Sequence, residues 1–276
     1  MRYRKRAIDL NKYDELISYI QELESVAVAF SGGVDSTFLA YAAKQALGDK
    51  ATAITVDSPY IPRWEIEEAK ELAQQMGIRH VVLKATIHPS IKENPSNRCY
   101  LCKKVIFSNI LEEAKNQGAI VVMDGTNFDD TKDYRPGLVA LKELSISSPL
   151  MACEWTKDMI RAKSKEVGLT THDKPAYACL LTRIPYDTIL SNDELERIEK
   201  SEVFMMSLGF RAVRVRSHGD LARIEVDRDA RKRLFDEVVL DKISEEIKSF
   251  GYKYVAFEAS GYSMGSLNRQ IGESNE

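Results

Sequence analysis

No apolar run in the chain approaches the length of a membrane span. Its first residues, Met1-Arg2-Tyr3-Arg4-Lys5-Arg6, lack the apolar core of a secretory signal. Both absences point to the cytoplasm and to no membrane partner. Cysteine is scarce, with four in 276 residues. That excludes a disulfide framework and leaves metal, redox or sulfur chemistry as the use for clustered thiols. Charge of one sign is also missing, because the net charge is only −3. Such a chain has no global pull toward nucleic acid, so an anionic ligand must be held by local basic groups. There is no internal repeat, no low-complexity tract and no convincing Ser/His/Asp array. The length allows one large domain and one small one.

What is present begins with Ser31-Gly32-Gly33-Val34-Asp35-Ser36-Thr37, directly after the apolar run Val26 to Phe30. The run reads as a buried parallel strand, and Ser36 to Leu47 reads as a helix. A glycine turn between them presents unpaired N–H groups at the positive end of a helix dipole, an anion cradle. Gly32 and Gly33 let the backbone approach a phosphate closely and take a positive φ where needed. Ser31, Ser36 and Thr37 add hydroxyl donors. A phosphate would repel Asp35 unless a divalent cation, magnesium, sat between them. No lysine follows the glycines, which excludes the Walker loop, and the spacing is not that of a dinucleotide fold. The form S-G-G-x-D-S resembles the pyrophosphate loop (PP-loop) of the ATP pyrophosphatases. That resemblance implies ATP as cofactor and cleavage to AMP and pyrophosphate.

Strands are predicted at Ala51–Val56, His80–Ala85 and Ala119–Met123. Helices are predicted over 11–23, 63–76 and 100–117, the last stopped by Gly118. This alternation predicts an α/β fold with a parallel sheet covered on both faces. Ligands then bind beyond the carboxyl ends of the strands. The loop at Ser31, the Thr55-Val56 segment and Asp124-Gly125-Thr126-Asn127 all lie at such ends and should face one crevice. There Thr55 and Val56 would meet adenine through backbone atoms, Gly125 and Thr126 would line the nucleotide, and Asp124 would hold magnesium or cap a turn. A connector with one helix near 156–167 spans 145–187, so the first domain is placed at 1–187. Beyond it, a helix over 193–208, a hairpin of Arg211–Arg216 and Leu221–Val226, a long helix over 228–250 and a strand at 252–257 read as a smaller α+β domain, 188–276, on an antiparallel sheet.

Cys99-Tyr100-Leu101-Cys102 is a C-x-x-C at a helix start, where the thiolate that binds metals is favoured. Alone it fits a redox pair, half a zinc site or part of an iron–sulfur site. Cys179 lies in a proline-framed loop with Arg183 four residues on, and reads equally as a reactive thiol or a structural one. Cys153, among Met151, Ala152 and Trp155, reads as a core residue. Arg214 and Arg216 alternate on one strand and share a face, which suits a phosphate or a solvated outer surface. Arg135 and Arg183 are further anion-binding candidates.

Taken together, several segments resemble one subgroup of the ATP pyrophosphatases, the LarE-type sulfurtransferases. They are Ser31–Thr37, Asn97–Lys103, Asp124–Asn127, Asp133-Tyr134-Arg135-Pro136-Gly137, Cys179 with Thr182–Tyr186, and Val213–His218. The resemblance runs over nearly the whole chain. It implies adenylation of a carboxylate of pyridinium-3,5-biscarboxylic acid mononucleotide, and displacement of AMP by sulfur to give a thiocarboxylate. It also implies the three-cysteine form, with Cys99, Cys102 and Cys179 holding a [4Fe-4S] cluster and Arg214 and Arg216 holding the substrate's phosphate. Hydrosulfide or another sulfur donor, and self-association, are implied as well. The competing readings are a tRNA thiolase, an ammonia-dependent amidating synthetase, which has no use for the three cysteines, and a nucleotide-binding regulator.

Overall fold

The computed structural model describes residues 2–132, 136–175, 177–210 and 212–263. These residues pack as two units. The first comprises residues 1–86 and 99–177, and the second 87–98 and 178–276. The division expected at 187/188 and this grouping differ over residues 87–98 and 178–187.

In the first unit, α1 (Arg2–Gln21) leads to β1 (Val26–Ala29), α2 (Val34–Leu47), β2 (Ala51–Asp57), α3 (Arg63–Met76) and β3 (Arg79–Lys84). Then come α4 (Arg98–Asn116), β4 (Val121–Met123), α5 (Pro136–Glu143), α6 (Pro149–Ala152) and α7 (Lys157–Glu166). The four strands are parallel, in the order β3-β2-β1-β4. Period-two alternation on β1 sorts its side chains to two cores. Val26 and Val28 join Leu16, Ile20, Phe38 and Leu72 on one face, while Ala27 joins Phe107, Ile110 and Leu141 on the other. Trp155 and Cys153 belong to the first core. Burial pushes the Cys153 thiol up to about 11, which suits a packing role. Because β1 lies between β2 and β4, the chain reverses direction across the sheet at β1, and the crevice opens at the carboxyl ends of β1 and β4.

The second unit holds α8 (Asn192–Ser207), β5 (Val213–His218), β6 (Leu221–Val226), α9 (Glu237–Ser249) and β7 (Tyr254–Phe257). Ser191 caps α8 by accepting from the Glu194 N–H at 3.2 Å. β5 and β6 form the expected hairpin, but β7 pairs parallel to β6, so the sheet is mixed and not antiparallel throughout. The helix expected over 228–250 is broken. A 3₁₀ segment runs from Ala230 to Phe235, and Asp236 then caps a fresh helix by accepting from Val238 N and Val239 N. An aspartate that satisfies two helix-start donors competes well with helix continuation. Among the described residues no helix is long and apolar enough to cross a membrane.

Candidate active site

The loop after β1 is built from small residues. Gly32 has φ +69°, and a Cβ there would meet Ala69 of α3 at 3.3 Å, so both conformation and space require glycine. Gly33 instead has φ −77° and ψ 166°, an extended N-cap to α2, so the positive φ belongs to one glycine. Ser36 Oγ lies 3.1 Å from Ser31 Oγ and donates to Gly33 O at 3.2 Å, which folds the loop onto the first turn of the helix. Gly125, after β4, sits so close that a Cβ would lie 2.9 Å from Ser36 N.

A cavity of about 570 Å³ opens over these ends. Ser31, Gly33, Asp35, Ser36, Thr55, Val56, Gly125 and Thr126 line it, and Cys99 and Lys103 stand on its wall with Ile106, Phe107 and Ile110. A lining that combines small polar groups with apolar side chains suits a phosphate-bearing aromatic ligand. Gly32 and Thr37 do not line the cavity, and Thr37 is fully buried with its hydroxyl unpartnered. Thr55 does more than offer backbone. Its hydroxyl donates to Phe30 O at 2.6 Å and lies 2.8 Å from His80 Nε2. With the hydroxyl proton engaged, Nε2 must carry a proton and donate, as it does both in the neutral Nε2–H tautomer and in imidazolium. Burial, reinforced by Lys70, lowers the His80 pKa and favours that neutral form. Asp124 caps its turn, with its oxygens accepting from Thr126 and Ser148, each at 2.5 Å.

Asp35 carries the charge of the loop. Its Oδ2 accepts from Lys157 Nζ at 2.5 Å, while its Oδ1 is buried with no hydrogen-bond partner. A carboxylate oxygen left unsatisfied beside a phosphate cradle fits a magnesium ion, a hard cation that takes oxygen ligands. Two lysines here escaped the sequence reading. Lys157 opens α7, and its N–H also donates to Asp129 Oδ2 at 2.8 Å. Lys174 donates to Gly32 O at 3.0 Å and to Glu68 Oε2 at 2.6 Å. The one sequence signal for Lys157 was its place just after the helix-start threonine Thr156, and Lys174 had none.

The sequence-predicted arginines Arg183, Arg214 and Arg216 lie in the second unit, each at least nine-tenths buried. A solvated outer surface is therefore the wrong description of Arg214 and Arg216. Arg183 grips Glu202 with two bonds of 2.9 Å and donates to Ala178 O and Cys179 O, so it shapes the loop that carries Cys179. Arg216 donates to Glu225 Oε2 at 2.8 Å and to Thr182 O at 2.6 Å. Arg214 lies 5.0 Å from the centre of the Tyr262 ring. Its pKa is lowered by burial first and then by the charge of Arg183. Sequence reading missed Glu202, because no spacing rule links it to Arg183, and missed that Glu225, across the hairpin, pairs with Arg216. Arg135 lies outside the described residues. Cys99 and Cys102 belong to the first unit, Cys102 Sγ being 3.5 Å from Tyr60 Oη, and Cys179 belongs to the second. Among the described residues no group of three His, Cys, Asp or Glu side chains is arranged to hold a metal ion.

The NAD synthase family model matches residues 11–96, the part that contains the loop. An uncharacterized protein of Synechocystis is 38% identical, over 95% of this chain and 98% of its own length. The pyridinium-3,5-bisthiocarboxylic acid mononucleotide synthase of Lactiplantibacillus plantarum is 35% identical, over 92% of each chain. The chain belongs to the LarE-type sulfurtransferases. The tRNA-specific 2-thiouridylase MnmA of Clostridium perfringens, at 30% identity, matches only 55% of this chain and 53% of its own. The LarE-type likeness thus takes in both units, where the thiouridylase likeness covers about half the chain. As a member of this family the protein is an ATP-dependent sulfurtransferase of the PP-loop superfamily, using ATP with magnesium.

Proposed function

We propose that this enzyme adenylates a carboxylate of pyridinium-3,5-biscarboxylic acid mononucleotide and exchanges the activated oxygen for sulfur. The observation that carries the reading is a shared cavity: the phosphate loop with Asp35 and the thiol of Cys99 line the same 570 Å³ space. The loop N–H groups at the start of α2 receive the ATP phosphates. Asp35 Oδ1 would hold magnesium, which spreads the phosphate charge, and Lys157 keeps the other carboxylate oxygen in place. A substrate carboxylate oxygen bonds to the α-phosphorus and pyrophosphate leaves. A sulfur nucleophile then bonds to the acyl carbon, the C–O bond breaks, and AMP departs with that oxygen. Without adenylation the leaving group would be oxide, which sulfur cannot displace.

Arg214, crowded in its buried setting by Arg183 and Arg216, is assigned to the substrate's phosphate together with Arg216, since an added anion relieves that repulsion. Arg183 is assigned the placing of the Cys179 loop. Cys99, Cys102 and Cys179 are the proposed ligands of a [4Fe-4S] cluster. This assignment rests on their soft donor chemistry and on the resemblance. When bound, such a cluster would present hydrosulfide as the nucleophile. Hydrosulfide is the proposed donor, and self-association the proposed state.

The test is anaerobic turnover with ATP, magnesium, the mononucleotide and hydrosulfide, followed by quantification of AMP, pyrophosphate, thiocarboxylate, iron and labile sulfide. One AMP per thiocarboxylate is expected, with iron bound in the wild type and reduced in Cys99→Ala, Cys102→Ala and Cys179→Ala. Thiolation of tRNA with none of the mononucleotide would overturn the reading.

A further inference from the structure

The second unit buries one arginine that the proposed reaction does not use. Arg98 is 2% exposed, and both its Nε and its Nη1 are buried with no hydrogen-bond partner. Its guanidinium lies 4.3 Å from the centre of the Tyr186 ring. Asn94 fixes the loop that carries this ring, because its Nδ2 donates to Ile184 O at 3.0 Å and to Pro185 O at 2.8 Å. Asn94 Oδ1 is likewise buried and unpartnered.

This arrangement differs from the other buried arginines of the unit. Arg183 and Arg216 each face a buried glutamate, Glu202 and Glu225. Among the described residues no carboxylate pairs with Arg98. Burying a guanidinium without a counter-charge is costly, and a ring face recovers only part of the loss. With its central carbon over the Tyr186 ring and its N–H donors taken by no carboxylate among the described residues, the guanidinium keeps those donors available to an oxyanion. Unpartnered donors on a buried cation also speak for an anionic ligand, not for a closed apolar pocket.

We infer that Arg98 is an oxyanion-binding residue, with Tyr186 as its platform and a carboxylate of the acidic acceptor as its ligand. The choice of acceptor rests on the function proposed above, but the anion site does not. Equilibrium binding therefore tests it without turnover, and a failed sulfur transfer would leave it standing.

The experiment titrates pyridine-3,5-dicarboxylate and, separately, inorganic phosphate onto the full chain. A non-hydrolysable ATP analogue and magnesium are kept saturating, so that the PP-loop is filled. The phosphate titration serves as the control for the site assigned to Arg214 and Arg216, and wild type is expected to bind the dicarboxylate. Arg98→Met should weaken that binding about tenfold or more, leave affinity for the ATP analogue unchanged, and hold or raise the thermal midpoint of the unliganded protein. Should R98M fail to fold, Arg98→Lys decides. It keeps the charge and loses the planar fork, so a several-fold loss of oxyanion affinity is expected beside normal nucleotide binding. Wild type failing to bind the dicarboxylate, or the deciding variant binding it with wild-type affinity, overturns the inference.

Discussion

The two units handle charge in opposite ways. Around the PP-loop, backbone groups and short hydroxyl side chains are braced from outside by Lys157 and Lys174, and the one acidic side chain of the loop keeps an oxygen unsatisfied. In the second unit, two long charged side chains are driven inside and matched, Arg183 to Glu202 and Arg216 to Glu225, while Arg98 is buried over a tyrosine ring instead. The first arrangement is a vacancy shaped for a ligand. The second is a frame that fixes loops, since both arginines also hold carbonyls of the 178–182 segment. The lesson is that a buried charge means different things according to whether its partner is already in place.

The largest expected effect breaks the frame. Glu202→Ala strips Arg183 of its bidentate partner and Val215 N of its acceptor. It should cost about 3–5 kcal/mol in denaturant unfolding, because it strands a buried charge. Adding Arg183→Met should recover much of that loss, and a double variant no more stable than the single one would contradict the pairing. Next is the vacancy itself. Asp35→Asn should lower AMP formation about 100-fold, the scale of a lost charge-stabilising group, with an unfolding midpoint close to wild type. Equal losses of activity and stability would mean that Asp35 is a structural residue.

A smaller change sharpens the geometry of the loop. Gly125→Ala puts a Cβ 2.9 Å from Ser36 N, a backbone atom that cannot swing aside. The expected cost is about 1–3 kcal/mol from overpacking, together with a raised KM for ATP. The smallest effect is one of pH. Burial and Lys70 hold the folded His80 below its ordinary 6.5. The unfolded chain therefore binds the extra proton first. The stability from neutral His80 is complete above pH 6.5 and is lost as pH falls below it, through the lower folded value. His80→Gln should then lose less stability than wild type between pH 7.5 and 5.5, measured by urea midpoints. A steeper loss in the variant would contradict the neutral assignment.

The PP-loop was legible because its parts are contiguous. Strand, glycines, aspartate and helix follow one another between Val26 and Leu47, and local rules suffice. Gly125 was also legible, as the turn at a strand end. Lys157 and Lys174 were not, because they reach Asp35 and Gly32 across more than 120 residues, and a lone lysine carries no periodic signal. In the second unit the arginine types were readable and their partners were not. Alternation placed Arg214 and Arg216 on one face, but it cannot say whether that face meets water or Glu225. The break before α9 was lost for a related reason. Helical spacing persists across Asp236, and only the observed bonds to Val238 N and Val239 N show a new start.

Transfer of oxygen tests the central claim most directly. The mononucleotide is labelled with ¹⁸O in its carboxylates and turned over with ATP and hydrosulfide, and the AMP is examined by mass spectrometry. Adenylation followed by sulfur displacement predicts one ¹⁸O in the phosphate of AMP for each thiocarboxylate formed. Thiocarboxylate accompanied by unlabelled AMP would contradict the account.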